Sequence, residues 1–135
     1  MTFARRSIPR QFLTFSAIGA LGTGLNLVIL TVCYRIIGAD FLISDCISTT
    51  SGIVFNYTLN NIFAFRDRRR RGFGWLIGLV SFAVTCSIGV ALNVRLASYL
   101  FSRHLHWLIS FFAGVLLGLG WNYMASRFYT WRQLK

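Results

Sequence analysis

The chain has 135 residues, of which 56% are hydrophobic, 16% aromatic and only 13% charged. A soluble domain this small has too little interior to hide so much apolar surface, which excludes an ordinary water-soluble fold. Lys and Arg number 14 against three Asp, a net charge of +11, but the basic residues bracket long apolar runs, as in the loops of membrane proteins, so a nucleic-acid partner is not expected.

The start of the chain is basic, with Arg5, Arg6 and Arg10. The apolar run that follows, Phe12–Tyr34, is long enough to span a bilayer and longer than the apolar core of a cleaved signal peptide, so it is expected to remain as an anchor. Arg35, Gly38 and Asp40 end it. A second predicted span, Phe41–Phe65, stops at the run from Arg66 through Asp67 to Arg71. The third, Phe73–Phe101, carries Arg95 inside it. The fourth, Trp107–Tyr129, is followed by Arg132 and Lys135. The connections at 38–40 and 102–106 are short, so the helices within each pair are antiparallel neighbours. The fold class expected is all-α: an integral membrane four-helix bundle, a single four-span domain over residues 1–135.

Both flanks and the middle loop are basic, whereas the opposite side has only Arg35 and Arg103 beside Asp40. The N and C termini are therefore expected in the cytoplasm. Trp75, Trp107, Tyr129 and Trp131 fall at predicted interfaces, where amphipathic rings belong. The chain also repeats itself. Gly24-Leu25-Asn26-Leu27-Val28 matches Ala91-Leu92-Asn93-Val94-Arg95 at an offset of 67, and Phe55-Asn56-Tyr57 with Phe63 to Arg66 matches Trp121-Asn122-Tyr123 with Tyr129 to Arg132 at 66. Two spans per copy make these two parallel two-helix repeats, related by an axis along the membrane normal.

No nucleophile–base or carboxylate pair has plausible spacing, so an enzyme is not expected. Cys33, Cys46 and Cys86 lie in apolar segments without a disulfide or metal pattern. His104 and His106 lack a third ligand, and no metal or cofactor is expected. Polar residues recur at steps of three or four in every span: Ser16, Gly19, Thr23 and Asn26; Asp45, Thr49, Gly52, Asn56, Asn60 and Phe63; Ser81, Thr85, Gly89 and Asn93; Ser110, Gly114, Gly118, Asn122 and Ser126. Each set defines one helical face. Close helix packing accounts for the small residues. Four asparagines, one per span, admit either packing or a polar ligand. Arg35, Asp45 and Arg95 fall toward the outer end, where they form a polar cluster or snorkel to headgroups. Arg66, Arg127 and Arg132 fall at the inner end, either as lipid contacts or as anion ligands. Guanidinium groups suit phosphate and carboxamides suit hydroxyls.

Gln11-Phe12-Leu13-Thr14-Phe15 ahead of a Gly-rich first span with Asn26 resembles the opening of GtrA-like proteins. The segment from Phe55 to Arg66 resembles their central motif, and that from Trp121 to Arg132 its C-terminal repeat. One departure stands out: the second copy has Arg127 where the first has Asn61. The resemblance implies a flippase that moves a polyprenyl-phosphate-linked sugar across the bacterial cytoplasmic membrane for cell-surface polysaccharide such as O-antigen, beside a membrane glycosyltransferase. On that reading Arg66, Arg127 and Arg132 collect the phosphate, Asn56, Asn60 and Asn122 host the polar head, and Arg95 with Asn26, Asn93 and Asp45 receives it toward the outer leaflet. Four spans make a thin bundle, so a homo-oligomer, a dimer, is expected. Two alternatives stand beside this: a non-transporting subunit that anchors a glycosyltransferase, and a small ion or drug exporter, which the lack of an acidic residue in the first span disfavours.

Overall fold

The computed structural model describes residues 7–132. Arg5, Arg6 and Lys135, which enter the orientation argument, lie outside the described residues. Within them the chain is helical, without a strand, and it divides into two compact units, Met1–Arg69 and Arg70–Lys135. Each is a helical hairpin.

In the first unit α1 (Ile8–Thr31) opens with a proline in its first turn, where the missing N–H has no helical partner to lose. The helix then widens into a π-helical turn, Val32–Ile36, closed by a hydrogen bond from the Ile37 N–H to the Val32 carbonyl at 2.9 Å. Gly38, with φ of 75°, takes the left-handed conformation that reverses the chain. Asp40 caps α2 (Phe41–Leu59), its Oδ1 accepting from the Leu42 N–H at 2.9 Å. A second π-turn, Asn60–Ala64, follows, then a short 3-10 turn over Arg66–Arg68. The buried line of α1 is Gln11, Phe15, Ile18 and Gly22, and that of α2 begins with Ser44, Ser48 and Gly52.

In the second unit α3 (Phe73–Ser102) follows Gly72 and ends before His104, which has φ of 63°. His106 caps α4 (Trp107–Ala125), its Nδ1 accepting from the Leu108 N–H at 3.3 Å. A third π-turn, Ser126–Thr130, closes the unit. The buried lines are Gly78, Phe82, Thr85 and Gly89 on α3 and Ser110, Gly114 and Gly118 on α4.

The π-turn in the first unit accounts for the change of repeat offset. Twelve residues separate Asn26 from Gly38, but eleven separate Asn93 from His104. Gly38 and His104 hold the same left-handed place in their units, and α3 stays α-helical to its end. The first unit's extra residue is taken up where the hydrogen bonds step from four residues to five.

One expectation is corrected. Among the described residues three helices are long and apolar enough to cross a membrane: Ile8–Ile36, Phe73–Ser102 and Trp107–Thr130. The second helix is there, 19 residues long with a five-residue π-turn after it, but it is not apolar enough. Ser44, Asp45, Ser48, Thr49, Thr50, Ser51, Asn56 and Thr58 fall within α2. Ser44 and Ser48 are buried within the structure and return their hydroxyls to the carbonyls of Asp40 and Asp45.

Candidate functional site

Each unit holds its two helices together by asparagines seated against glycines. In the first unit a Cβ on Gly22 would coincide with the side chain of Asn56, and a Cβ on Gly52 would stand 3.5 Å from Asn26. In the second, a Cβ on Gly89 would coincide with Asn122, and one on Gly118 would lie 3.2 Å from Asn93 and 2.9 Å from the Gly89 carbonyl. Asn93 also lies against Gly114. Every helix therefore offers a glycine notch to its neighbour and fills one in return. The Oδ1 atoms of Asn56 and Asn122 are buried with no hydrogen-bond partner among the described residues. They face glycine Cα–H groups, which are weak donors.

The end of each unit away from its interhelical turn is built alike. Phe65 and Trp131, the residues after the two π-turns, are fully buried. Phe65 meets Phe15 edge to face with ring centroids 6.2 Å apart, and Trp131 meets Phe82 at 5.8 Å. The carbonyl just before each aromatic is held by a side chain from elsewhere in its unit. Gln11 Nε2 donates to the Ala64 carbonyl at 3.0 Å, and Arg70 Nε donates to the Thr130 carbonyl at 2.9 Å. Ser81 and Thr130 hydroxyls lie 3.1 Å apart. Arg127 Nη1 donates to the Tyr123 hydroxyl at 3.1 Å, so the guanidinium is oriented by its own helix one turn back.

The residues singled out in the sequence are distributed as follows. Asn26, Asn56, Asn93 and Asn122 are half-buried and seated between the helices of their own units. Asn60 is buried, donates from Nδ2 to the Asn56 carbonyl at 2.8 Å, and keeps its Oδ1 without a hydrogen-bond partner among the described residues. Arg66 and Arg132 are exposed beyond the π-turns. Arg127 is half-buried. Arg35 lies over the Tyr34 ring at 5.7 Å and is not paired with the half-buried Asp45 of the same unit. Arg95 is exposed and has no hydrogen bond or ion pair to a described residue. It lies two residues, or about 200°, around α3 from Asn93.

An open groove of about 480 Å³ runs along α2, lined by Thr50, Ser51, Val54, Phe55, Thr58 and Leu59. On helical spacing it adjoins the line Ser44, Ser48 and Gly52, with Phe55 and Leu59 about 60° and 20° around the helix from Gly52. The Thr58 hydroxyl returns to the Val54 carbonyl at 2.7 Å. Sequence reasoning missed this groove, and also the carbonyl-holding roles of Gln11 and Arg70. It missed the matching caps as well, although Asp40 and His106 stand 66 residues apart, the offset already found in α2 and α4.

Three apolar membrane-length helices, paired glycine–asparagine notches and a duplicated aromatic-locked turn define a multi-pass membrane protein built from two like hairpins. The model of the GtrA/DPMS transmembrane-domain family matches residues 14–131. The chain belongs to that family, among membrane proteins of lipid-linked sugar processes. No curated protein matches the chain.

Proposed function

We propose that this protein is a translocase that carries a polyprenyl-phosphate-linked sugar across the bacterial cytoplasmic membrane for synthesis or modification of surface polysaccharide. In this reading α2 crosses as a fourth span, the two units are parallel repeats, and both termini are cytoplasmic. The observation that carries the proposal is α2 itself. It is long enough to cross yet less apolar than the other three helices, and polar groups at membrane depth normally face protein or a polar cargo. Its groove residues Thr50, Ser51 and Thr58 offer hydroxyls for a sugar. Arg66, Arg127 and Arg132 follow or lie within the terminal turns and suit collection of one phosphate charge. The asparagines serve mainly to seat the helices that carry these groups. No reaction is catalysed in this scheme, and the chain acts as a homodimer.

The experiment is translocation of a labelled polyprenyl-phosphate sugar in proteoliposomes that contain only this protein. Accelerated movement over empty vesicles is expected. A rate equal to that of empty vesicles, with the protein folded and inserted, removes the transporter reading.

A second reading has one observation in its favour. The four asparagines are used in packing, which leaves fewer polar side chains for a cargo. A non-transporting subunit that anchors a membrane glycosyltransferase needs none. Co-purification with such an enzyme, together with inactive proteoliposomes, would favour it.

A further inference from the structure

The two units match in fold but differ in charge. Asp40, Asp45 and Asp67 all belong to the first unit, and residues 70–135 contain no carboxylate side chain. At four comparable places the second unit holds the more basic group, while Arg10 and Arg35 of the first unit have Ile77 and Phe101 as their counterparts. Arg95 stands where the first unit has Val28, and Arg127 where it has Asn61. The carbonyl at the end of the π-turn is held by Arg70 in the second unit and by neutral Gln11 in the first. The cap of the returning helix is His106 in one and Asp40 in the other.

Two of these groups lie within the helical spans, where a charge is costly and marks a functional site by default. Arg127 is in the terminal π-turn, oriented by the Tyr123 hydroxyl. Arg95 is seven residues, or about 10 Å, before the end of α3. It has no partner among the described residues, and its own unit contains no carboxylate to supply one. A lone guanidinium in a carboxylate-free unit is completed by an anion from outside the chain.

We infer that anion recognition at membrane depth belongs to the second unit alone, with Arg127 and Arg95 holding a phosphate ester at two depths while the first unit contributes no charged contact there. This rests on the proposed transport of a phosphate-bearing lipid and adds which half, and which two residues, receive the phosphate. At those two depths the first unit, with Val28 and Asn61, contacts only neutral parts of the cargo, and its Arg66 lies beyond the π-turn.

The test is binding of radiolabelled farnesyl phosphate to the full chain in phosphatidylcholine nanodiscs. Arg95→Val and Arg127→Asn give the second unit the residues of the first, and each is expected to weaken binding by about tenfold, as for loss of one hydrogen bond to a charged group. Arg35→Gln and Arg69→Gln in the first unit are expected to leave binding unchanged. Arg95→Gln and Arg127→Gln replace the first pair if either fails to give a folded, monodisperse protein. Unchanged binding in the double variant, or equal weakening by Arg35→Gln, overturns the inference. So does recovery of wild-type binding when Val28→Arg is added to Arg95→Val, because the charge would then act from either unit. Competition by inorganic phosphate as strong as that by unlabelled farnesyl phosphate would support the site and make free phosphate its ligand; weak competition supports it with a lipid headgroup as ligand. Binding without translocation would defeat the transport proposal and leave this inference standing. Translocation indifferent to both arginine variants would do the reverse.

Discussion

The carboxamide of Asn56 fills the space in which a side chain on Gly22 would begin, and Asn122 stands in the same relation to Gly89. The contact is interhelical in both cases, and the opposite glycine has no room for even a methyl group. Gly22→Ala and Gly89→Ala are therefore expected to destabilise by about 1–3 kcal/mol each, the usual cost of overpacking. Gly19→Ala and Gly24→Ala lie on the same helix as Gly22, but a Cβ at either place meets nothing within 4 Å. They should be neutral or stabilising by up to about 1 kcal/mol, because alanine is the better helix former. Thermal unfolding in detergent distinguishes the two pairs. Equal losses at Gly19 and Gly22 would mean that the notch is not what makes glycine necessary.

The carbonyls of Ala64 and Thr130 are held by different side chains, Gln11 and Arg70. The first unit thus shows that a neutral amide can do what the arginine does in the second. Arg70→Gln is expected to retain most of the stability that Arg70→Ala loses, about 1–2 kcal/mol. Alanine at the exposed neighbours Arg69 and Arg71 should have little effect. Hydrogen exchange over residues 126–131 reads this directly. Faster exchange in Arg70→Gln equal to that in Arg70→Ala would show that charge, and not donation to Thr130, is what matters.

The π-turn Val32–Ile36 contains one residue more than the corresponding stretch of α3 requires. Deletion of Cys33 should convert this turn to an ordinary helix and leave the protein folded. Deletion of Leu21 should not, because it rotates Phe15 and Ile18 by about 100° relative to Asn26 and breaks the buried line. Monodispersity and melting temperature of the two deletion variants provide the comparison.

His106 and Asp40 cap equivalent helices with bonds of 3.3 and 2.9 Å. A carboxylate is the better partner for a helix N-terminus. His106→Asp is expected to raise stability by about 0.5–1 kcal/mol, and Asp40→Ala to lower it by about 1 kcal/mol. Both follow from unfolding midpoints. A destabilised His106→Asp variant would indicate that the imidazole serves through its stacking on Trp107, 5.9 Å away, more than through its cap.

Much of this fold is legible in the sequence, and the failures have physical causes. The step-four line Ser110, Gly114 and Gly118 with Asn122 is the contact face of α4, continued by buried Ser126 in the π-turn. On α1 the expected line of Ser16, Gly19, Thr23 and Asn26 is displaced at all but Asn26, which lies against Gly52: the structure buries Phe15, Ile18 and Gly22. The hydroxyls of Ser16 and Thr23 return to the carbonyls of Phe12 and Gly19, at 2.9 and 3.1 Å. A side chain that satisfies itself within its own helix needs no partner helix, and so it misleads a reading by polarity. Beyond α2, α-helical spacing places Phe63 on the line of Asn56 and Asn60, but it lies in the π-turn and is exposed. Thr49 is exposed as well, and Ser44 and Ser48 take the buried places. Gln11 and Arg70 hold carbonyls 53 and 60 residues away, relationships that no local pattern announces.

The polarity of α2 also bears on how the chain enters its membrane. A segment with this many hydroxyls and amides gains little by leaving the insertion channel for lipid alone. Its most favourable neighbour is α1, whose glycine notch and Gln11 side chain await Asn56 and the Ala64 carbonyl. With α2 crossing as proposed, insertion of the first hairpin is expected as one event, with α1 retained beside the channel until α2 has been made. The second hairpin, apolar in both arms, has no such need to wait.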